Sequence, residues 1–220
     1  MQDIHSRAWL RTNAWRYPPA VWESIHSDRC NFVLNVDNIE YEYNNYGFRN
    51  PHMQEFYYTH RPIAVGCSIT FGQGVALEHT WHHLIEHHCN LGQCGASLET
   101  VYRTLKHWMP KIKPSHVRLL TPPMGRREVF ETDWSAVQYI PQGVIDMPNI
   151  FTAETEIQLN QDRMLSAIRW LCRDITLDVI TWEQAAEVCT DRGADDLHPG
   201  PQSHQAIAEL FKQFELFRNA

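Results

Sequence analysis

No stretch of the 220-residue sequence approaches the unbroken apolar length that a membrane-crossing helix needs. The opening, MQDIHSRAWLRTNAW, lacks the apolar core of a secretory signal, so the expected compartment is the cytoplasm. Export by another route, for instance on a virus particle, would leave no mark in the sequence. Clusters of Lys and Arg are also missing, and 19 basic against 26 acidic residues leave a formal net charge of −7. Phosphate backbones and anionic membranes are held by clustered cations, so nucleic acid and lipid surfaces are not expected partners. Internal repeats and low-complexity tracts are absent. Cysteine is present six times (Cys30, Cys67, Cys89, Cys94, Cys172, Cys189). In a chain this long without a signal, these are expected to be reduced thiols and not a disulfide framework.

The remaining composition, 43% hydrophobic and 20% charged, is that of a globular chain long enough to bury one substantial core. Residues 1–60 are rich in Trp, Tyr, Asn and His and have no helical period. They are expected to form an extension of short strands and arms packed on a domain spanning 61–220, with a turn at Asn45-Tyr46-Gly47. From Pro62 onward strands and helices alternate. IAVGC and HVRLLTP read as strands, as does LDVITW. SLETVYRTLKHW reads as a helix capped by Ser97, with Leu98, Val101, Leu105 and Trp108 on one stripe. EHTWHHLIEHHC and TEIQLNQDRMLSAIRWLCRD read as further helices, the second opened by a capping box from Thr155 to Gln158. Ile207, Leu210, Phe211 and Phe214 mark a C-terminal amphipathic helix, and 124–152 reads as a long loop. Such alternation implies an α/β fold with parallel strands and helices on both faces, its sites gathered at the strands' carboxyl ends.

Two stretches carry chemistry. In PIAVGCSITFGQGV a strand stops at Gly66 and turns through Cys67 and Ser68. The turn lacks the Gly-Lys-Ser/Thr of a phosphate loop and the third glycine of a dinucleotide fingerprint. Thr70 stands where an α/β-hydrolase elbow would need glycine. An isolated Gly-x-Ser is most simply a turn closing a strand. In DDLHPGPQSHQ, however, Asp195 and His198 are spaced so that the carboxylate can reach the imidazole Nδ1, while Asp196 is expected to be solvated. A serine needs such a base, and the base needs an orienting partner. The plain alternative is that Asp195 or His198 caps the helix beginning near Gln202.

VGCSITFGQGV, followed by TWHHLIE, NLGQCGAS and DDLHPGPQSH, resembles the SGNH, or GDSL-type, hydrolase family over roughly residues 40–220. NNYGFRN resembles a segment that often precedes the serine block in some members. The resemblance implies a flavodoxin-like three-layer α/β/α sandwich with a parallel sheet. It also implies hydrolysis of a small-molecule or glycan ester, often an acyl or acetyl group on lipid or carbohydrate, with no cofactor. It assigns Ser68 as nucleophile, His198 as base and Asp195 as the residue orienting it. Gly95 becomes the glycine whose N–H joins that of Ser68 in an oxyanion hole. Two departures stand out. Cys67 replaces an aspartate, and LLTPPMGRRE lacks the asparagine of the third block. Arg126 or Arg127 is expected to supply the missing donor, the alternative for both being a loop ion pair with Glu128. Loss of that asparagine also leaves open a catalytically weak or inert binding module of the same fold.

A rival lies in HLIEH, where His83 and His87, helped by Cys89 and Cys94, would hold zinc. At ~100° per residue Trp81, Leu84 and Ile85 define the buried face, leaving His83, Glu86 and His87 pointing away and His88 in the core. Cys67 as nucleophile is weaker still. Trp15, Trp22, Tyr57 and Tyr58, with the 124–152 segment, are candidates to shape a substrate pocket or simply to pack.

Overall fold

A computed structural model describes residues 32–36, 38–44, 48–50, 55, 58–86, 88–130, 136–139 and 154–219. Trp15, Trp22, Tyr57, His87 and the turn at 45–47 lie outside the described residues. The described residues begin with an antiparallel pair, β1 (Phe32–Val36) and β2 (Ile39–Tyr43). The central sheet has four parallel strands: β3 (Ile63–Val65), β4 (Cys89–Asn90), β5 (His116–Leu120) and β8 (Thr176–Ile180), in the order β4-β3-β5-β8. That order, with the first strand inside and the second at the edge, is the doubly wound arrangement of a flavodoxin-like sheet.

Side chains leave a strand alternately to its two faces, and this period builds both cores. Ile63, Val65, Val117 and Leu119 face one way, where α3 (Leu98–Ile112) and α4 (Glu154–Leu171) cover them with Val101, Leu105, Trp108, Leu165 and Ile168. Ala64, Leu120 and Ile180 face the other way. There α2 (Trp81–Ile85), α5 (Trp182–Val188) and α6 (Pro201–Asn219) contribute Trp81, Ala185, Ile207 and Phe211. The domain is thus an α/β fold in three layers.

Ser97 caps α3, its hydroxyl accepting the N–H of Thr100. Four local readings need correction. EHTWHHLIEHHC is α-helical only over Trp81–Ile85, the backbone is extended at Glu86, and Cys89 already lies in β4. LDVITW is a strand only to Ile180; Thr181 caps a helix, exchanging bonds with Gln184, and Trp182 opens α5. Helix α4 already includes Glu154, so Thr155 lies within its first turn and is not its cap. The expected loop at 124–152 contains an antiparallel pair, β6 (Arg127–Phe130) and β7 (Ala136–Tyr139). The inner end of the N-terminal extension is built into the domain, Phe48 meeting Trp108 edge-on within the core.

One polar cluster sits on the α2/α6 face. Arg118, fully buried on β5 opposite Ala64 and Asp178, donates to Glu86, to His88 Nε2 and to Glu215. Arg218 in turn grips Asp178. An unpaired buried guanidinium would cost several kcal/mol (roughly 3–5), so the surrounding carboxylates are what permit it, and they tie the end of α6 to the sheet.

Candidate active site

The site is assembled where the strands end. After Val65 the backbone passes Gly66 and Cys67 and enters a single helical turn, α1 (Ser68–Phe71), so Ser68 is the first residue of a helix. Gly72, in the left-handed region at φ +86°, ends the turn, and the Ser68 carbonyl accepts the N–H groups of Gly72 and Gln73, each at 2.9 Å. The strand pairing of β3 and β4 continues past both strands: Leu91 N–H donates to the Ala64 carbonyl and Gln93 N–H to that of Gly66. This lays NLGQCGAS beside the serine turn. Gly92 presses on the backbone of Thr70 and Phe71 so closely that no Cβ would fit. Gly95 follows, buried, with φ +79°.

His198 arrives from a loop after α5. Its Nε2 lies 2.9 Å from Ser68 Oγ, across 130 residues of chain, and its Nδ1 lies 2.6 Å from Asp195 Oδ2. The other Asp195 oxygen accepts the backbone N–H groups of Leu197 and His198. Burial pushes the Asp195 carboxyl pKa upward, but the His198 ring and these N–H donors outweigh it and hold the group below the usual carboxylate range. An ionised Asp195 beside Nδ1 favours the tautomer that carries its proton there, leaving the Nε2 lone pair facing the serine hydroxyl. Asp196 is exposed, as expected.

The cap of α6 is Asp191, whose carboxylate accepts the N–H groups of Gln202 and Ser203 and the Ser203 hydroxyl. Asp195 and His198 are therefore not the capping pair that the sequence left open. Gly92 and Asp191 were missed by sequence reasoning. A glycine between strand and helix and an aspartate ten residues before a helix look unremarkable until the chain folds.

The two arginines have different environments. Arg127 donates to Glu99 at 3.2 Å and to Glu156 at 2.9 Å, whereas Glu128 is bound by Arg103, so the alternative pairing of Arg127 with Glu128 is replaced by another. Arg126 lines a small cavity with Leu98, Pro122, Met124, Ile157 and Gln161, and its buried Nη1 has no hydrogen-bond partner.

The histidine-rich helix takes a different form from the HLIEH reading. Trp81 is buried with Leu84 and Ile85 packed beside it, and His88 is buried as expected. Its Nδ1 faces the carbonyls of His82 and Glu86, and burial pushes its pKa down to about 3. Glu86, His88 and His116 bring ligand atoms within 4.8 Å of one another. Arg118 donates into that same space, and its fixed charge stands where a metal cation would sit. Cys67 and Cys89 are buried thiols.

No protein-family model matches the chain, and no curated protein shows significant similarity to it.

Proposed function

We propose that the chain is a serine esterase, or acylhydrolase, of the SGNH type, acting on an acyl or acetyl ester of a carbohydrate or lipid. The observation that carries this reading is the continuous relay from Ser68 Oγ through the His198 ring to Asp195. As the hydroxyl oxygen attacks the ester carbonyl carbon, its proton passes to His198 Nε2, and Asp195 balances the imidazolium formed. Collapse of the tetrahedral intermediate breaks the ester C–O bond, and Nε2 returns the proton to the departing alcohol. Water, deprotonated by the same nitrogen, then releases the acid and regenerates Ser68. The oxyanion would be met by the N–H of Ser68, which as the first helical residue has no intrahelical acceptor, by that of Gly95, and by Arg126.

Turnover of a short-chain aryl ester tests the proposal. Wild type is expected to hydrolyse it and to be labelled at Ser68 by a fluorophosphonate. Ser68→Ala should lose both while keeping its circular dichroism and melting temperature. Equal turnover by the two proteins would discard the serine mechanism.

A second reading, an inert binding module, is favoured by one feature. The Thr121-Pro122-Pro123-Met124-Gly125 turn after β5 carries no side-chain amide. A folded wild type that leaves the fluorophosphonate unreacted would select it.

A further inference from the structure

We propose that Arg49 and Tyr41 are positioning residues that hold Asp195 in register with His198 from behind the site. They act through the 72–75 loop, which touches both the serine turn and the Asp195 loop. Arg49 is 1% exposed although its charge is fixed, and a buried guanidinium persists only where its donors are used. Its Nη1 donates to the carbonyls of Gly72 (2.7 Å) and Val75 (2.9 Å), closing both ends of the loop, and its Nη2 donates to the Glu40 carbonyl (3.0 Å). The guanidinium lies over the Tyr41 ring, 4.5 Å from its centroid, and that ring stacks on Phe71 of the serine turn.

Tyr41 completes the connection. Its hydroxyl accepts the Gly74 N–H at 2.8 Å, and the Gly74 carbonyl accepts the Ala194 N–H, also at 2.8 Å. One peptide segment is thereby held on one side by the tyrosine and on the other by the residue preceding Asp195. The contact is tight enough that a Cβ on Gly74 would stand 2.8 Å from Asp195 Oδ1. The Gly193 N–H closes the same loop onto the His198 carbonyl at 2.8 Å. A shift of Gly74 therefore passes directly into the carboxylate that orients the imidazole. Misplacement of about 1 Å at such a site can cost on the order of 10²-fold in rate. The role assigned to the segment before the sheet is thus to brace the acid–base pair and not to bind substrate.

The inference rests on the serine-hydrolase reading for its rate readout but not for its spectroscopic one. The His198 Nδ1 proton, held in a short bond to Asp195, is expected to give a low-field line in the proton spectrum of ¹⁵N-histidine-labelled protein. Tyr41→Phe and Arg49→Gln are expected to move that line upfield and broaden it by solvent exchange. Both should slow fluorophosphonate labelling of Ser68 by about tenfold, short of the ceiling for a 1 Å error. Ile168→Val, which thins the core beneath α4, should lower the melting temperature and leave line and rate alone. An unchanged line in folded Tyr41→Phe overturns the inference, and that variant decides it alone where Arg49→Gln does not fold. A wild type that shows the line but never reacts with the probe refutes the esterase reading instead, and the line still decides the brace.

Discussion

Asp191 Oδ1 accepts two bonds from Ser203, the serine N–H at 2.8 Å and the serine hydroxyl at 2.5 Å. The second oxygen, Oδ2, takes the Gln202 N–H at 3.0 Å, and an isolated bridge pairs Arg192 with Pro199. The segment that presents Asp195 and His198 is therefore a loop closed at its base by the Asp191 carboxylate together with the Arg192–Pro199 bridge. Burial raises the Asp191 pKa, but the Ser203 hydroxyl and the two N–H donors prevail and hold it below the ordinary value.

Removal of that carboxylate should be felt at the site as well as in stability. Asp191→Ala loses a helix cap, an effect of about 1 kcal/mol, and frees the base of the loop. Esterase turnover is expected to fall by about tenfold with a smaller change in KM, as expected when a general base is mispositioned. Steady-state kinetics beside thermal melts measure both, and unchanged kcat in a destabilised variant would show that the closure serves stability alone.

Arg126 and Arg127 can be separated by their present partners. Arg127 already spends both terminal nitrogens on Glu99 and Glu156, so Arg127→Ala is expected to cost about 1–2 kcal/mol of stability and little rate. Arg126 keeps a buried donor without a partner. If it replaces the absent amide, Arg126→Ala should lower kcat by on the order of 10²–10³. Similar small losses in the two variants would remove arginine from the oxyanion site.

Acid should unfold the protein through its buried histidines. Burial pushes the pKa of His204 and of His88 down to about 3 and that of His116 to about 4. In each case the folded chain keeps the ring neutral where the unfolded chain, with an ordinary value near 6.5, takes up a proton. Their full contribution is thus present above about pH 6.5 and is lost as pH falls toward the folded values, by roughly 1.4 kcal/mol per pH unit for each such group. His204, fully buried with its Nδ1 accepting the Trp81 N–H, is the clearest case. The melting temperature is expected to drop steadily from pH 7 to pH 5, and a flat profile would contradict the burial of these rings as neutral groups.

Much of this architecture can be read along the chain because it is written in neighbouring residues. The alternation that puts Ile63 and Val65 on one face and Ala64 on the other is a property of extended backbone. The Leu98–Val101–Leu105–Trp108 stripe and the Ser97 cap are properties of a helix. Asp195 and His198 are three residues apart, so their pairing was also a local matter. The failures fell where a residue's role depends on something distant. Trp182 looks like the end of a strand until Thr181 turns the chain. Asp191 looks like a loop acid until α6 arrives above it. Arg127 was a candidate oxyanion donor, with Glu128 as its alternative partner by adjacency, but two helices supply Glu99 and Glu156.

The order of amino acids by itself determined a chain of alternating strands and helices, a serine at a strand's end and an imidazole with its own carboxylate. Periodicity and spacing act over a few residues and need no partner. Only the tertiary structure decided that the hydroxyl and the imidazole meet, that Arg49 and Tyr41 lie behind them, and that Arg118 is buried among carboxylates. Those contacts join segments tens to more than a hundred residues apart. They exist because parallel strands carry successive loops to the same edge of one sheet.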